Sequence, residues 1–191
     1  MKVKHDASYY KKKIVTIPNI LSLIRLMLIP VFIWLYDFKN DYVAAAFVFT
    51  ASAATDIVDG FIARKFNMIS DVGKILDPVA DKLTQLAVLL CLLFRFPLML
   101  LPISILVAKE VITGIMSIVR IKRTKKVHMA VWHGKVNTVL LYGMLTIHVL
   151  WSNIPTAVSH ITILLCVVMM MVSAILYAIQ HLKAIKSNRK H

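Results

Sequence analysis

The sequence predicts an all-α integral membrane protein, with six transmembrane helices and an N-terminal interfacial segment. Three observations carry that reading. The 191 residues are 59% hydrophobic with a mean hydropathy of +0.76, well above the roughly half-apolar composition of a soluble domain. The apolar residues fall into six runs near the roughly 20-residue length that a helix needs to cross the hydrocarbon core. The cations are lopsided. Eighteen of the 23 Lys and Arg lie in the N-terminus, the Arg64 to Lys74 link, the Arg120 to Lys135 stretch and the tail, whereas only Lys39 and Arg95 lie in the alternate turns. Such asymmetry orients spans with their basic loops in the cytoplasm.

Residues 1–18 form the interfacial segment, in which Lys2, Lys4, Lys11, Lys12 and Lys13 precede a Tyr- and Lys-bearing approach suited to headgroups. A basic start before an apolar run imitates a secretory signal, but the run from Ile20 to Phe38 is long for one and contains Arg25. The membrane domain is expected over 19–182. Its spans run from about Asn19 to Tyr36 with Pro30 as a kink site, Tyr42 to Phe66, Gly73 to Phe94, Leu98 to Ile121, Gly134 to Trp151 and Thr156 to Leu182. Between them lie the turn Lys39-Asn40-Asp41, the link Asn67 to Asp71, the turn at Arg95 and Pro97, the basic loop Lys122 to His133, and Ser152 to Pro155. The tail, 183–191, is basic. Both termini are expected in the cytoplasm of a multi-pass protein of a bacterial cell membrane. The formal charge of +14 then reads as an orientation signal that also suits anionic lipid, and nucleic acid is not an expected partner. Cys91 and Cys166 lie in apolar runs with no evident disulfide role.

The acids break this pattern. Of nine Asp and Glu, Asp56, Asp59, Asp77 and Asp81 lie at i, i+3 and i, i+4 spacings in otherwise apolar helical sequence, so each pair shares a helix face. Unpaired carboxylates in an apolar setting are costly, and four of them match two oxygen-preferring divalent cations, Mg²⁺ or Mn²⁺. Two such ions side by side run in-line displacement at phosphorus. Gly60 and Gly73 leave room for close approach, Ala63 is small, and Arg64 offers a charged fork for phosphate. The topology puts this cluster at the cytoplasmic interface. Asp71, His128 and His133 read as solvated or interfacial, Met169 to Met171 as packing, and Trp34, Trp132 and Trp151 as interface belts.

Written out, the stretch is D-x2-D-G-x2-A-R-x8-G-x3-D-x3-D, matched by Asp56, Asp59, Gly60, Ala63, Arg64, Gly73, Asp77 and Asp81. It resembles the signature of the CDP-alcohol phosphatidyltransferases. The resemblance extends to the six spans, to I-P-N-I-L-S-L-I-R-L-M-L-I-P from Ile17 to Pro30, and to H-G-K-V-N-T from His133 to Thr138. It implies the fold of that family and a transfer of a phosphatidyl group from CDP-diacylglycerol to an alcohol with release of CMP. It further implies that Asp56, Asp59, Asp77 and Asp81 hold two divalent metals. Asp56, Asp59, Gly60, Ala63, Arg64, Gly73 and Asp77 would seat the CDP donor, Asp81 would be the general base, and the protein would be a homodimer.

The acceptor is expected to be read by Arg25, Lys109, Arg120 and Lys135, since cations within spans are functional suspects. Within the family the chain looks most like the phosphatidylglycerophosphate synthases, which implies glycerol 3-phosphate. It departs from their R-E, T-G-x-R and G-K-x-K-T runs at Lys109-Glu110, at Thr113-Gly114 and at Asn137. The run Lys135 to Thr138 looks like that of cardiolipin synthases, for which phosphatidylglycerol is the acceptor; inositol phosphate and serine are further alternatives. A membrane cation carrier is the competing class. The Gly60, Ala63, Arg64 and Gly73 elements, and the gathering of the acids at one membrane face, argue against it.

Overall fold

The computed structural model describes residues 16–65, 73–124 and 132–187, all of whose regular elements are helical. The interfacial approach before Thr16, the link with Asp71, the loop with His128 and the end of the tail lie outside the described residues. The helices are α1 (Ile17–Ile33), α2 (Tyr42–Lys65), α3 (Gly73–Leu93), α4 (Leu100–Thr124), α5 (Trp132–Leu150) and α6 (Thr156–Ser187). They follow the six apolar runs closely.

Local chemistry explains the boundaries. Thr16 is extended at the N-cap and Pro18 falls in the first turn of α1, where its missing N–H costs nothing and its fixed φ suits a helix. The helix continues through Pro30, and its end widens into a π-type turn over Trp34–Phe38. Asn40 then takes φ 54°, a left-handed conformation that Asn tolerates. Asp41 accepts the Ala44 N–H at 3.0 Å, so the expected polar turn also caps α2. Helix α3 ends where the Arg95 and Phe96 N–H groups fold back onto the Leu92 carbonyl, and a single tight turn, Pro97–Met99, leads into α4.

The helices form two compact units. The first holds α1, α2, α3 as far as Cys91, and Val149–Ser152. Here α1 lies along α2. Phe32 stacks on Tyr36 with centroids 5.7 Å apart and meets Phe49 of α2 at 6.1 Å, an aromatic seam that fixes the pairing. Ala45 and Ala46 are buried in α2, and Ala80, Val88 and Leu89 in α3.

The second unit holds α4, α5 through His148, and α6, with α4 along α6. Its interior includes Leu106, Leu141, Leu145, Ile163 and Met170, and a polar pin joins α5 to α6. His148, fully buried, donates from Nδ1 to the Met144 carbonyl at 2.8 Å, which leaves Nε2 to accept the Ser159 hydroxyl at 3.0 Å. Phe96 meets the imidazole edge-on at 5.0 Å. His148→Ala strands the Ser159 hydroxyl in an apolar interior and is expected to cost about 1–3 kcal/mol. Thermal unfolding in detergent measures the loss, and adding Ser159→Ala should recover part of it.

The surface is inverted relative to a soluble protein. Phe47 and Phe94 are 78% and 91% exposed, whereas Asn19, Ser22, Arg25, Gln85 and Asn137 are buried. An apolar exterior, with polar side chains turned into the helix bundles, suits a bilayer. Among the described residues three helical stretches are long and apolar enough to cross it, Ile17–Phe38, Pro97–Ile115 and Thr156–Tyr177; Val136–Leu150 is apolar and shorter. Helix α3 carries Lys74, Asp77, Asp81 and Lys82 in its first ten residues. The two cysteines are free and buried.

Candidate active site

Asp56 lies two-thirds of the way along α2, and Asp77 and Asp81 lie in the first half of α3. The four-residue step from Asp77 to Asp81 keeps that pair on one face of α3. Side chains from two helices are thereby available to one site. The structure shows how α1 completes it. Arg25, with no exposed side-chain area, sets Nη1 2.8 Å from Asp56 Oδ1 and Nη2 3.7 Å from Asp77 Oδ1. One guanidinium spans carboxylates of α2 and α3. Both acids keep over a third of their side-chain area exposed, whereas the cation between them is enclosed.

Ser22, one turn before Arg25, donates to the same Asp77 Oδ1 at 2.8 Å and also lies 3.0 Å from the Pro18 carbonyl. Asn19, Ser22 and Arg25 are all buried and recur every three residues. They make one polar stripe on an otherwise apolar helix. Asp81 has a different partner. The Gln85 amide, one turn on and buried, donates to both Asp81 oxygens at 3.1 and 3.0 Å, and the Lys82 ammonium is 3.9 Å from Oδ2. Gln85 thus fixes the carboxylate plane from behind.

The donor set is all oxygen, which suits Mg²⁺ or Mn²⁺ rather than a thiolate- or imidazole-preferring ion. Asp56 and Asp77 already share a cationic group across two helices. Asp56 and Asp77 therefore suit two oxygen ligands of a divalent metal. Among the described residues no three His, Cys, Asp or Glu are close enough together to hold one; the side chain of Asp59 is outside them, as are those of Ala63 and Arg64. Gly60 is in α2, and Gly73 begins α3.

Of the cations expected to read an acceptor, Arg25 faces the acids. The Lys109 ammonium lies 5.6 Å from the Tyr177 ring centroid within the second unit. The side chains of Arg120 and Lys135 lie outside the described residues. Asn137, the departure from a second lysine, is buried. Ser22 and Gln85 are the residues that sequence reasoning passed over. Their signal was present: polar residues at i, i+3 and i+6 in α1, and a Gln one turn beyond Asp81.

The fold and the site define a helical membrane protein that gathers carboxylates where α2 ends and α3 begins. A family model described as CDP-alcohol phosphatidyltransferase matches residues 15–179, and the chain belongs to that family. It is 39% identical over 103 residues to the CDP-diacylglycerol--glycerol-3-phosphate 3-phosphatidyltransferase of Pseudomonas fluorescens, covering 51% of this chain and 52% of that protein. The protein of the same name from Escherichia coli K12 is 37% identical over 127 residues, 64% of this chain and 70% of that one. A cardiolipin synthase (CMP-forming) of Streptomyces coelicolor is 38% identical over 109 residues, 54% of this chain and 51% of that one. The chain spans about half the length of most of these relatives.

Proposed function

We propose that this protein transfers a phosphatidyl group from CDP-diacylglycerol to glycerol 3-phosphate, releasing CMP. The observation that carries the reading is the convergence of Asp56 and Asp77, 21 positions apart, within an eight-residue motif matched without a gap. Asp56, Asp59, Gly60, Ala63, Arg64, Gly73 and Asp77 seat the donor. Asp81 takes the proton of the acceptor hydroxyl, whose oxygen bonds to the phosphorus bearing the diacylglycerol as the bond to CMP breaks. Gln85 is a positioning residue, holding both Asp81 oxygens. Asp56, Asp59, Asp77 and Asp81 would hold two Mg²⁺ or Mn²⁺ ions, which would supply charge neutralisation to the donor.

All six helices span the bilayer, with both termini and the site on the cytoplasmic side, as the distribution of cations supports. Acyl chains then stay in the bilayer while the nucleotide remains in water, and the protein works as a homodimer. The acceptor's phosphate is met by Lys109, Arg120 and Lys135. A second reading, cardiolipin synthesis with phosphatidylglycerol as acceptor, is favoured by one observation: a neutral, buried Asn137 in place of a cation.

The test is CMP release from CDP-diacylglycerol by the purified protein, with glycerol 3-phosphate, phosphatidylglycerol, inositol phosphate and serine offered side by side. Release that needs Mg²⁺ or Mn²⁺ and is fastest with glycerol 3-phosphate is the expected result. Preference for phosphatidylglycerol selects the second reading. Binding of the nucleotide lipid without CMP release from any acceptor would overturn both.

A further inference from the structure

Arg25 is where the structure goes beyond the motif. Its guanidinium cannot shed its proton, so a fully buried arginine needs anionic partners. Asp56 and Asp77 supply them at 2.8 and 3.7 Å. The need is mutual, because carboxylates gathered in a partly desolvated site repel one another unless a cation stands between them. Four acids balance two divalent cations, so an arginine on the same oxygens is surplus once metal is bound.

We infer that Arg25 is a built-in counter-ion of the metal site: in the metal-free protein its guanidinium holds Asp56 and Asp77 together, and incoming metal must displace it. The inference rests on the proposed metal-binding role of these acids. Ser22 makes the exchange easy. Its hydroxyl has one proton and two acceptors within reach, Asp77 Oδ1 at 2.8 Å and the Pro18 carbonyl at 3.0 Å. When metal takes Asp77, the hydroxyl can turn wholly to its own helix and remain satisfied. Arginine and metal therefore compete for one set of oxygens, and α1 sets the metal affinity of acids carried by α2 and α3. A metal-stripped site stays assembled because the chain carries its own cation.

The test is Mn²⁺ binding to the full chain in detergent without substrate, followed by electron paramagnetic resonance, with unfolding temperature recorded with and without Mn²⁺. Arg25→Met removes a charge-assisted pair that metal must otherwise break, and is expected to bind Mn²⁺ about tenfold more tightly than wild type. It should also melt lower without metal, with the gap closing at saturating Mn²⁺. A folded Arg25→Met that binds Mn²⁺ equally or more weakly would show that the arginine assists the metal or is merely structural, and would overturn the inference. Should that variant not fold, Arg25→Lys decides. A lysine is a point charge without the fork that spans two carboxylates, so tighter Mn²⁺ binding than wild type supports competition, and equal or weaker binding overturns it. Failure of wild type itself to bind Mn²⁺ removes the metal reading together with this inference, whereas wild-type binding with unchanged variants removes only the inference.

Discussion

Asp81→Asn is expected to lower CMP release by at least about a hundredfold, the low end of what a positioned general base contributes. The protein should remain folded and still bind the nucleotide lipid. The substitution is nearly isosteric and keeps one oxygen for the Gln85 amide, which now donates to both carboxylate oxygens. What it removes is the ability to accept a proton at neutral pH. Turnover assays should therefore show a fall in kcat with little change in donor KM. Activity within threefold of wild type would remove Asp81 from the role of base. Gln85→Leu should act in the same direction and more weakly, because it frees the carboxylate without deleting it.

The second large effect is on stability as well as activity. Asp56→Leu takes away the nearer partner of a fully buried guanidinium. Only the arginine of this pair is buried, Asp56 being over a third exposed, and Asp77 still faces Arg25 at 3.7 Å, so the loss is expected to fall below the fully buried case, at about 1–3 kcal/mol. The double variant Asp56→Leu/Arg25→Met, apolar on both sides, should unfold at a temperature close to wild type. It should have no detectable turnover, since an acid proposed to seat the donor and to hold metal is gone. Unfolding by circular dichroism in detergent separates the two readouts. A double variant no more stable than the single one would mean that the guanidinium and Asp56 are not coupled.

These expectations come from different depths of the sequence. Helix limits were legible because their causes are local. Pro18 at a helix start, Asn40 and Asp41 at a turn, and Pro97 after an apolar run announce themselves within a few residues. The acids were legible too, since their i, i+3 and i, i+4 spacing fixes a shared face before any tertiary structure is known. Arg25 and Ser22 were not, because what they touch is remote: Ser22 meets an acid 55 residues away. A cation inside a span reads alike whether it awaits an acceptor or already holds a carboxylate, and only packing separates the two. The His148–Ser159 pin was likewise unreadable, since neither residue departs from ordinary span chemistry until α5 and α6 are side by side.

The two thiols have a practical consequence. Cys91 and Cys166 keep 7% and 1% of their surface, so packing alone shields both thiols from water-soluble reagents. The chain thus supplies a nearly silent background for side-specific labelling with membrane-impermeant maleimides. Single cysteines at exposed turn positions such as Lys39 and Arg95 can be introduced one at a time into the native sequence. The sidedness inferred from cations then becomes a direct readout of which compartment each turn faces.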